Sequence, residues 1–369
     1  MVPNPDHVRW LTHHEPKAGS QPRIERLEAE IRRPAVSGRR HEPVLTNMSV
    51  VYPMEEYATS RLRAQYIVDL LEDDPFWKVS TGYHPECDIA VIVQLCSDQT
   101  FRAISSNPDQ FIVYDICDRF FETDSIFRTE EGVLRARIRC LETIDRANVL
   151  IVPTQQLRDE ILERFPEKPC YHIPELVDYG ATPSPVTEPG SRRLLWFGHT
   201  RRGNFDSARW IIDHLAVRHG YEPILVTSPR AIAEHYPEYS KYCMPWSPEA
   251  IREAMASAEL CVVSHALDEA SKSPNRFVTA TMHGVPTLIS GSPSCIEILE
   301  AAGFGEFAID ASPDIDLAVE MLSDSDRRAA YVTTLQVEMW RRHAPSVIRD
   351  KYLDLMQLIV RFRNSMFDA

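Results

Sequence analysis

The chain has 369 residues, of which 44% are hydrophobic and 25% charged, with a formal net charge of −14. This length exceeds one ordinary domain and predicts two, and the composition is that of a soluble globular protein. The acidic balance argues against a general nucleic-acid binder but leaves room for a local cationic pocket. No apolar run approaches the roughly 20 residues that span a bilayer. The polar start MVPNPDHVRWLTHHEPKAGS lacks the apolar core of a signal peptide. The eight cysteines form no CxxC pair, so buried reduced thiols and a cytoplasmic location are expected. The thirteen histidines show no HExxH-type spacing, and no metal site is expected.

Residues 1–43 form an N-terminal extension rich in Pro, Arg and Glu, with one helix over Arg23–Arg33. Six arginines make it the most basic region: Arg23, Arg26, Arg32, Arg33, Arg39 and Arg40. It reads as a solvated helix and tail, or as a peripheral contact with the inner face of a membrane or with a partner.

From residue 44 apolar strands alternate with amphipathic helices. Strands are predicted over Val44–Val51, Trp77–Thr81, Asp88–Leu95, Phe111–Ile116, Val149–Pro153 and Tyr171–Pro174. Helices are predicted from RLRAQYIVDLLEDD, capped by Ser60, over Arg135–Ala147, and through QLRDEILERF behind Thr154. Residues 181–193, ATPSPVTEPGSRR, have three prolines, a glycine and no apolar period, and read as a linker. The alternation then resumes, with strands over Leu194–Gly198, Glu222–Thr227, Leu260–Ser264 and Thr287–Ser290. Helices are expected over Asn204–His219, Pro248–Ser257, Ile296–Ala302, Asp324–His343 and Ser346–Phe362.

The stretch Ser271–Pro286, SKSPNRFVTATMHGVP, predicts a helix with Ser273 as N-cap, Pro274 at the first helical position and Gly284 as C-cap. Phe277, Ala280 and Thr281 form its expected inward stripe. Its start joins Lys272, Asn275 and Arg276 to the partial positive charge of a helix N-terminus, a plausible seat for a diphosphate. An ordinary capped helix with solvated cations is the alternative.

The expected fold is α/β, with two doubly wound Rossmann-like domains facing across a cleft. The expected divisions are residues 44–180, the 181–193 linker, residues 194–345, and a C-terminal helix, 346–369, returning toward the first domain.

Four segments carry a resemblance: WFGHTRRGN (Trp196–Asn204), MPWSPEAIREAMASAELCVVSH (Met244–His265), KSPNRFVTATMHGVP and SPSCIEILE. In order and spacing they resemble the GT-B glycosyltransferases, and among them the group 1 nucleotide-sugar family. Three more resemble N-terminal elements of that family: SRLRAQYIVDLL, FIVYDICDRFFE and RANVLIVPTQQLRDEIL. The match runs over roughly residues 44–362. The family commonly carries two glutamates eight positions apart, and here those positions hold Ser271 and Thr279. Asp268 and Glu269 lie near the first; nothing replaces the second.

The resemblance implies transfer of a sugar from a UDP- or GDP-linked nucleoside-diphosphate sugar to an acceptor hydroxyl, without a metal. The acceptor would be a glycan, a lipid-linked sugar or a small molecule. Diphosphate candidates are Arg201, Arg202, Lys272 and the N–H groups of Asn275 and Arg276. Gly198, Asn204, Ser273 and Thr279 complete the expected donor site. Trp246 is the candidate flank of the nucleobase, and Glu297 of a sugar or ribose hydroxyl. Asp118 and Asp115 are candidate bases, and His199 a candidate contact of the transferring sugar. Arg61 and Arg63 bind an anionic acceptor or simply belong to the first helix. A silent scaffold that keeps the fold and a nucleotide-sugar epimerase are the alternatives.

Overall fold

A computed structural model describes residues 46–52, 59–72, 74–122, 129–178, 182–200, 203–265 and 271–367. Among them no helix is long and apolar enough to cross a membrane. The basic N-terminal extension lies outside the described residues. The chain divides into two compact units, Met1–Ile173 with Ile348–Ala369, and Pro174–Val347.

The first unit holds β1 (Thr46–Val51), a π-helical turn (Ser60–Gln65) running into α1 (Tyr66–Glu72), β2 (Trp77–Thr81) and β3 (Ile89–Val93). Then come α2 (Asp98–Ser105), β4 (Phe111–Asp115), α3 (Glu130–Arg146), β5 (Val149–Val152), α4 (Gln155–Arg164) and β6 (Cys170–His172). The strands are all parallel, in the order β2-β1-β3-β4-β5-β6. Every residue of β3, β4 and β5 is buried. That is why these strands read as unbroken apolar runs: both sheet faces are covered. Ser60 does not cap the first helix. Thr59 takes the N-cap position with helical dihedrals and no side-chain cap, and Ser60 is already inside the π turn. Helix α2 carries no expectation from the sequence, because it has eight residues and only Ile104 among them is buried.

The second unit holds β7 (Arg193–Phe197), α5 (Asn204–His219), β8 (Glu222–Thr227), α6 (Pro229–His235), β9 (Cys243–Pro245) and α7 (Pro248–Ser257). It continues through β10 (Leu260–Ser264), α8 (Asn275–Met282), β11 (Thr287–Ser290), α9 (Pro293–Ala301), α10 (Ser312–Ser323) and α11 (Ser325–His343). This sheet is also all parallel, in the order β11-β10-β7-β8-β9. The unpredicted β9 is a three-residue edge strand ending in Pro245, where a missing N–H costs no ladder bond. Helix α12 (Pro345–Phe367) carries the chain back to the first unit.

The proline-rich stretch is bonded along the second unit. Ser184 N–H donates to Met282 O, Thr187 N–H to Gly284 O, Gln336 to Ser184 O, and Arg328 to Thr187 O. The division between units falls at Ile173/Pro174, ahead of the expected linker. Six of the eight cysteines are buried, and Cys96 and Cys243 are half-buried; all are free.

Candidate functional site

In the second unit the chain runs from β7 outward to β8 on one side, then crosses back to β10 on the other. Neighbouring strands β7 and β10 therefore form a topological switch point, where helices leave the sheet in opposite directions and ligands bind beyond the carboxyl ends. Two helices begin there. Helix α5 follows β7, and α8 follows β10. Neither has a side-chain cap: the N-cap of α5 is Gly203 in the left-handed region, and that of α8 is Pro274. First-turn N–H groups without a side-chain cap are suited to an anion.

Arg276 joins the two strand ends. Its guanidinium donates to Phe197 O at 3.2 Å and to Ser264 O at 2.6 Å. It lies against Gly198, whose φ of +141° and the 3.0 Å from Arg276 Nη1 to a Cβ built there both favour glycine. Ser264 Oγ in turn donates to Asn204 O at 2.9 Å, and Asn204 Oδ1 is buried without a partner among the described residues.

The loop before α8 is pinned on two sides. Ser273 Oγ donates to Glu175 Oε2, and Ser294 Oγ to Lys272 O, each at 2.5 Å. Ser273 is thus not the N-cap of α8, and Pro274 stands one place before the first helical residue. Lys272 is half-buried. Its charge and that of Arg276 both reach His265, the residue after β10: burial first, then Arg276 and Lys272, push that imidazole well below its ordinary pKa. His265 is 5% exposed and its Nδ1 has no partner among the described residues. Sequence reasoning passed over this neutral histidine, whose signal was a polar residue directly behind an apolar strand.

Helix α8 has no single inward stripe; every residue from Phe277 to Met282 is buried. Sheet strands and α11 both flank it. Thr279 is 1% exposed and its hydroxyl donates back to Asn275 O at 2.8 Å. The helix ends as the sequence predicts at Gly284. Gly284 N–H reaches Thr281 O and Val285 N–H reaches Ala280 O, the paired bonds of a Schellman motif.

Three further candidates lie on the segments that follow β7, β9 and β11. Trp246 follows β9 and is 42% exposed. His199 is exposed behind Gly198. Glu297 lies on the exposed side of α9, beyond its first turn, and pairs with Arg342 of α11 at 2.8 Å. Arg201, Arg202, Asp268 and Glu269 fall outside the described residues.

In the first unit the switch point is between β1 and β3. Gln94, at the end of β3, is a buried non-glycine residue with φ of +67°. Its carbonyl accepts from Tyr114 at 2.6 Å and its side chain from Thr59 at 2.9 Å. Such a held, unfavourable conformation at a strand end is where function is often found, and sequence patterning gave no sign of it. Asp115 is fully buried and accepts from Arg63 Nε at 2.7 Å and Tyr352 at 3.3 Å. Burial raises its pKa, against the pull of Arg63. A carboxylate so committed leaves half-buried Asp118 as the base candidate of the pair.

No family model matches the chain, and no curated protein matches it by sequence. Solved structures do. Sucrose-phosphate synthase from Thermosynechococcus elongatus superimposes with a TM-score of 0.62 at 11% identity, covering 86% of this chain and 99% of its own. The E. coli trehalose-6-phosphate structure bound with UDP-2-fluoro glucose gives 0.55 at 9% identity, covering 84% and 98%. TarM gives 0.54 at 12% identity over 72% of this chain, which spans 54% of TarM. These likenesses identify the fold: two Rossmann-like α/β domains of the GT-B type.

Proposed function

We propose that this GT-B chain is a glycosyltransferase that moves a sugar from a UDP- or GDP-linked donor to an acceptor hydroxyl. The observation that carries the reading is the β7/β10 switch point, where two helices without side-chain caps start beside Lys272 and Arg276. Departure of a nucleoside diphosphate builds negative charge, and fixed N–H groups and cations stabilise it without reorganising. In this reading the diphosphate lies at the start of α8, on the amides of Asn275 and Arg276 and on Lys272. Arg276 acts chiefly by fixing the strand ends, because its guanidinium already serves two carbonyls. Arg201 and Arg202 add charge from the loop before α5. Trp246 flanks the base, Glu297 takes a sugar or ribose hydroxyl, and His199 contacts the transferring sugar. Asp118 is the acceptor's base. In this reading these cations and amides, rather than a metal, neutralise the leaving diphosphate.

Support for the donor class also comes from fold neighbours whose structures hold UDP or a UDP-sugar. A second reading, a nucleotide-binding scaffold without turnover, is favoured by Thr279, whose hydroxyl is turned into its own helix.

Calorimetry with UDP, GDP and their sugars tests the reading. Lys272→Ala is expected to weaken diphosphate binding about tenfold or more, the worth of one hydrogen bond to a charged group. Asp118→Asn is expected to keep nucleotide affinity and abolish most transfer. Absence of binding by the wild type at millimolar nucleotide overturns the proposal. Binding with neither donor hydrolysis nor transfer across a broad acceptor panel selects the scaffold.

A further inference from the structure

The second unit carries a cluster of side chains that the donor site does not use. His214 and His219 lie in the last two turns of α5, and Asp316 lies on α10, which packs against α5. Both imidazoles direct Nε2 at one atom, Asp316 Oδ1, each at 2.7 Å. All three donor atoms lie within 4.8 Å of one another. The side chains are 17%, 21% and 40% exposed, so water has access.

We propose that His214, His219 and Asp316 bind a divalent transition metal of the zinc class, which clamps the end of α5 to α10. Two imidazoles and one carboxylate suit zinc and its neighbours, whereas magnesium and calcium prefer oxygen ligands alone. Three protein ligands leave the fourth tetrahedral position to water, and the exposure of the cluster permits it. Ligands of a tetrahedral zinc, about 2.1 Å from the metal, sit about 3.4 Å apart. The imidazoles therefore need to step back from Asp316 by less than an ångström, a rotamer-scale shift for half-buried side chains. Each then presents Nε2 as a lone pair, with its proton on Nδ1. The location also favours a cation. His219 is the last residue of α5, and the carbonyl end of a helix carries partial negative charge.

The clamp is separate from the proposed nucleotide seat. Ten residues of helix, about 15 Å, separate His214 from Asn204 at the start of α5. The sequence could not show it: Asp316 is 102 and 97 residues from its two partners.

The test uses the full chain, stripped with EDTA and titrated with zinc chloride by calorimetry, beside His214→Ala, His219→Gln and Asp316→Asn. The wild type is expected to bind at micromolar zinc, with one site lost or weakened at least tenfold in every variant. Zinc should raise the wild-type melting temperature, and the rise should vanish in the variants. Cobalt in place of zinc should give a spectrum of nitrogen and oxygen ligands. Melting without metal and UDP binding in the variants report folding independently. Wild-type protein that binds no zinc at micromolar concentration overturns the proposal. So does a titration unchanged by the substitutions, or a cobalt spectrum with sulfur-to-metal charge transfer.

Discussion

Asp115 and Glu259 are both buried carboxylates, yet they are neutralised in different ways. Asp115 stands against Arg63, itself fully buried, and the two belong to one ion pair in the core of the first unit. Removing either partner leaves an uncompensated buried charge, so the pair acts as a positioning element for β4. As a lone sequence position Asp115 reads equally well as a strand-end base, because Arg63 is 52 residues away. Glu259 is 3% exposed and accepts from Tyr221 at 2.7 Å, Arg192 N–H at 2.7 Å and Gly190 N–H at 2.8 Å. Burial opposes its charge, but Tyr221, then the Arg192 and Gly190 amides and Arg328, outweigh burial and hold the pKa below the ordinary range. A depressed carboxylate stabilises above its unfolded pKa and ceases to do so as pH falls through the folded value. Glu259→Gln is therefore expected to lower stability at pH 7 by about 1–3 kcal/mol. Urea titrations should show this gap closing as the pH is lowered through the acid limb. A gap independent of pH would show that Glu259 matters only by shape.

At the level of elements, α8 and its flanks decide the donor site, and the tightest joint is at its end. Gly284 has φ of +81°, and a Cβ built on it would lie 2.0 Å from Pro185 O. Strain in the left-handed region costs about 1–2 kcal/mol, and the contact with backbone forces the strap at Ser184–Thr187 to move as well. Gly284→Ala should lose at least about 2 kcal/mol in urea unfolding, and diphosphate affinity should fall with it because α8 and the strap move together. A neutral substitution would mean that the strap yields freely. The sequence shows where α8 ends because Gly and Pro punctuation is local. Its start is less legible, because Ser273 is drawn away from the cap position by Glu175, 98 residues distant. The strap reads as a linker for the same reason: its bonds to Met282, Gly284, Arg328 and Gln336 are all long-range. Elements with strong periodicity, such as α5 and the buried strands, are legible to within a residue or two. Helices α2 and α6 and the edge strand β9 are too short to show a sustained period. Helix α10, by contrast, buries Ile315, Ala318, Val319 and Leu322 at helical spacing, a legible period that sequence reasoning passed over.

The whole molecule is two sheets built by the same rule, but the first unit is completed only by the last helix of the chain. Helix α12 has an apolar face legible in the sequence, and Ile348, Tyr352, Leu355, Met356, Ile359 and Phe362 are each no more than 5% exposed. Phe362 meets Phe111 of β4 edge-on at 6.2 Å, Tyr352 reaches Asp115, and Arg363 pairs with Asp88. Helix α12, from Ile348 to Phe362, is thus part of the core that holds β4 and, with it, the segment leading to Asp118. Burying a side chain of this size contributes about 1.5–3 kcal/mol. Six of them sum to about 10 kcal/mol or more, as large as the whole stability of an ordinary domain. A chain ending at Val347 should therefore lose order in the first unit while the second, whose core is closed by α11, keeps its own. Hydrogen exchange resolves the two directly. Amides of β3 and β4 should exchange within the dead time of the measurement, and those of β7 and β10 should stay protected. Diphosphate binding, placed wholly in the second unit, should survive the truncation even though transfer is lost. Loss of protection in both units together would mean that the second depends on the first for its stability. Full protection in both would show that α12 only covers a core that is already closed.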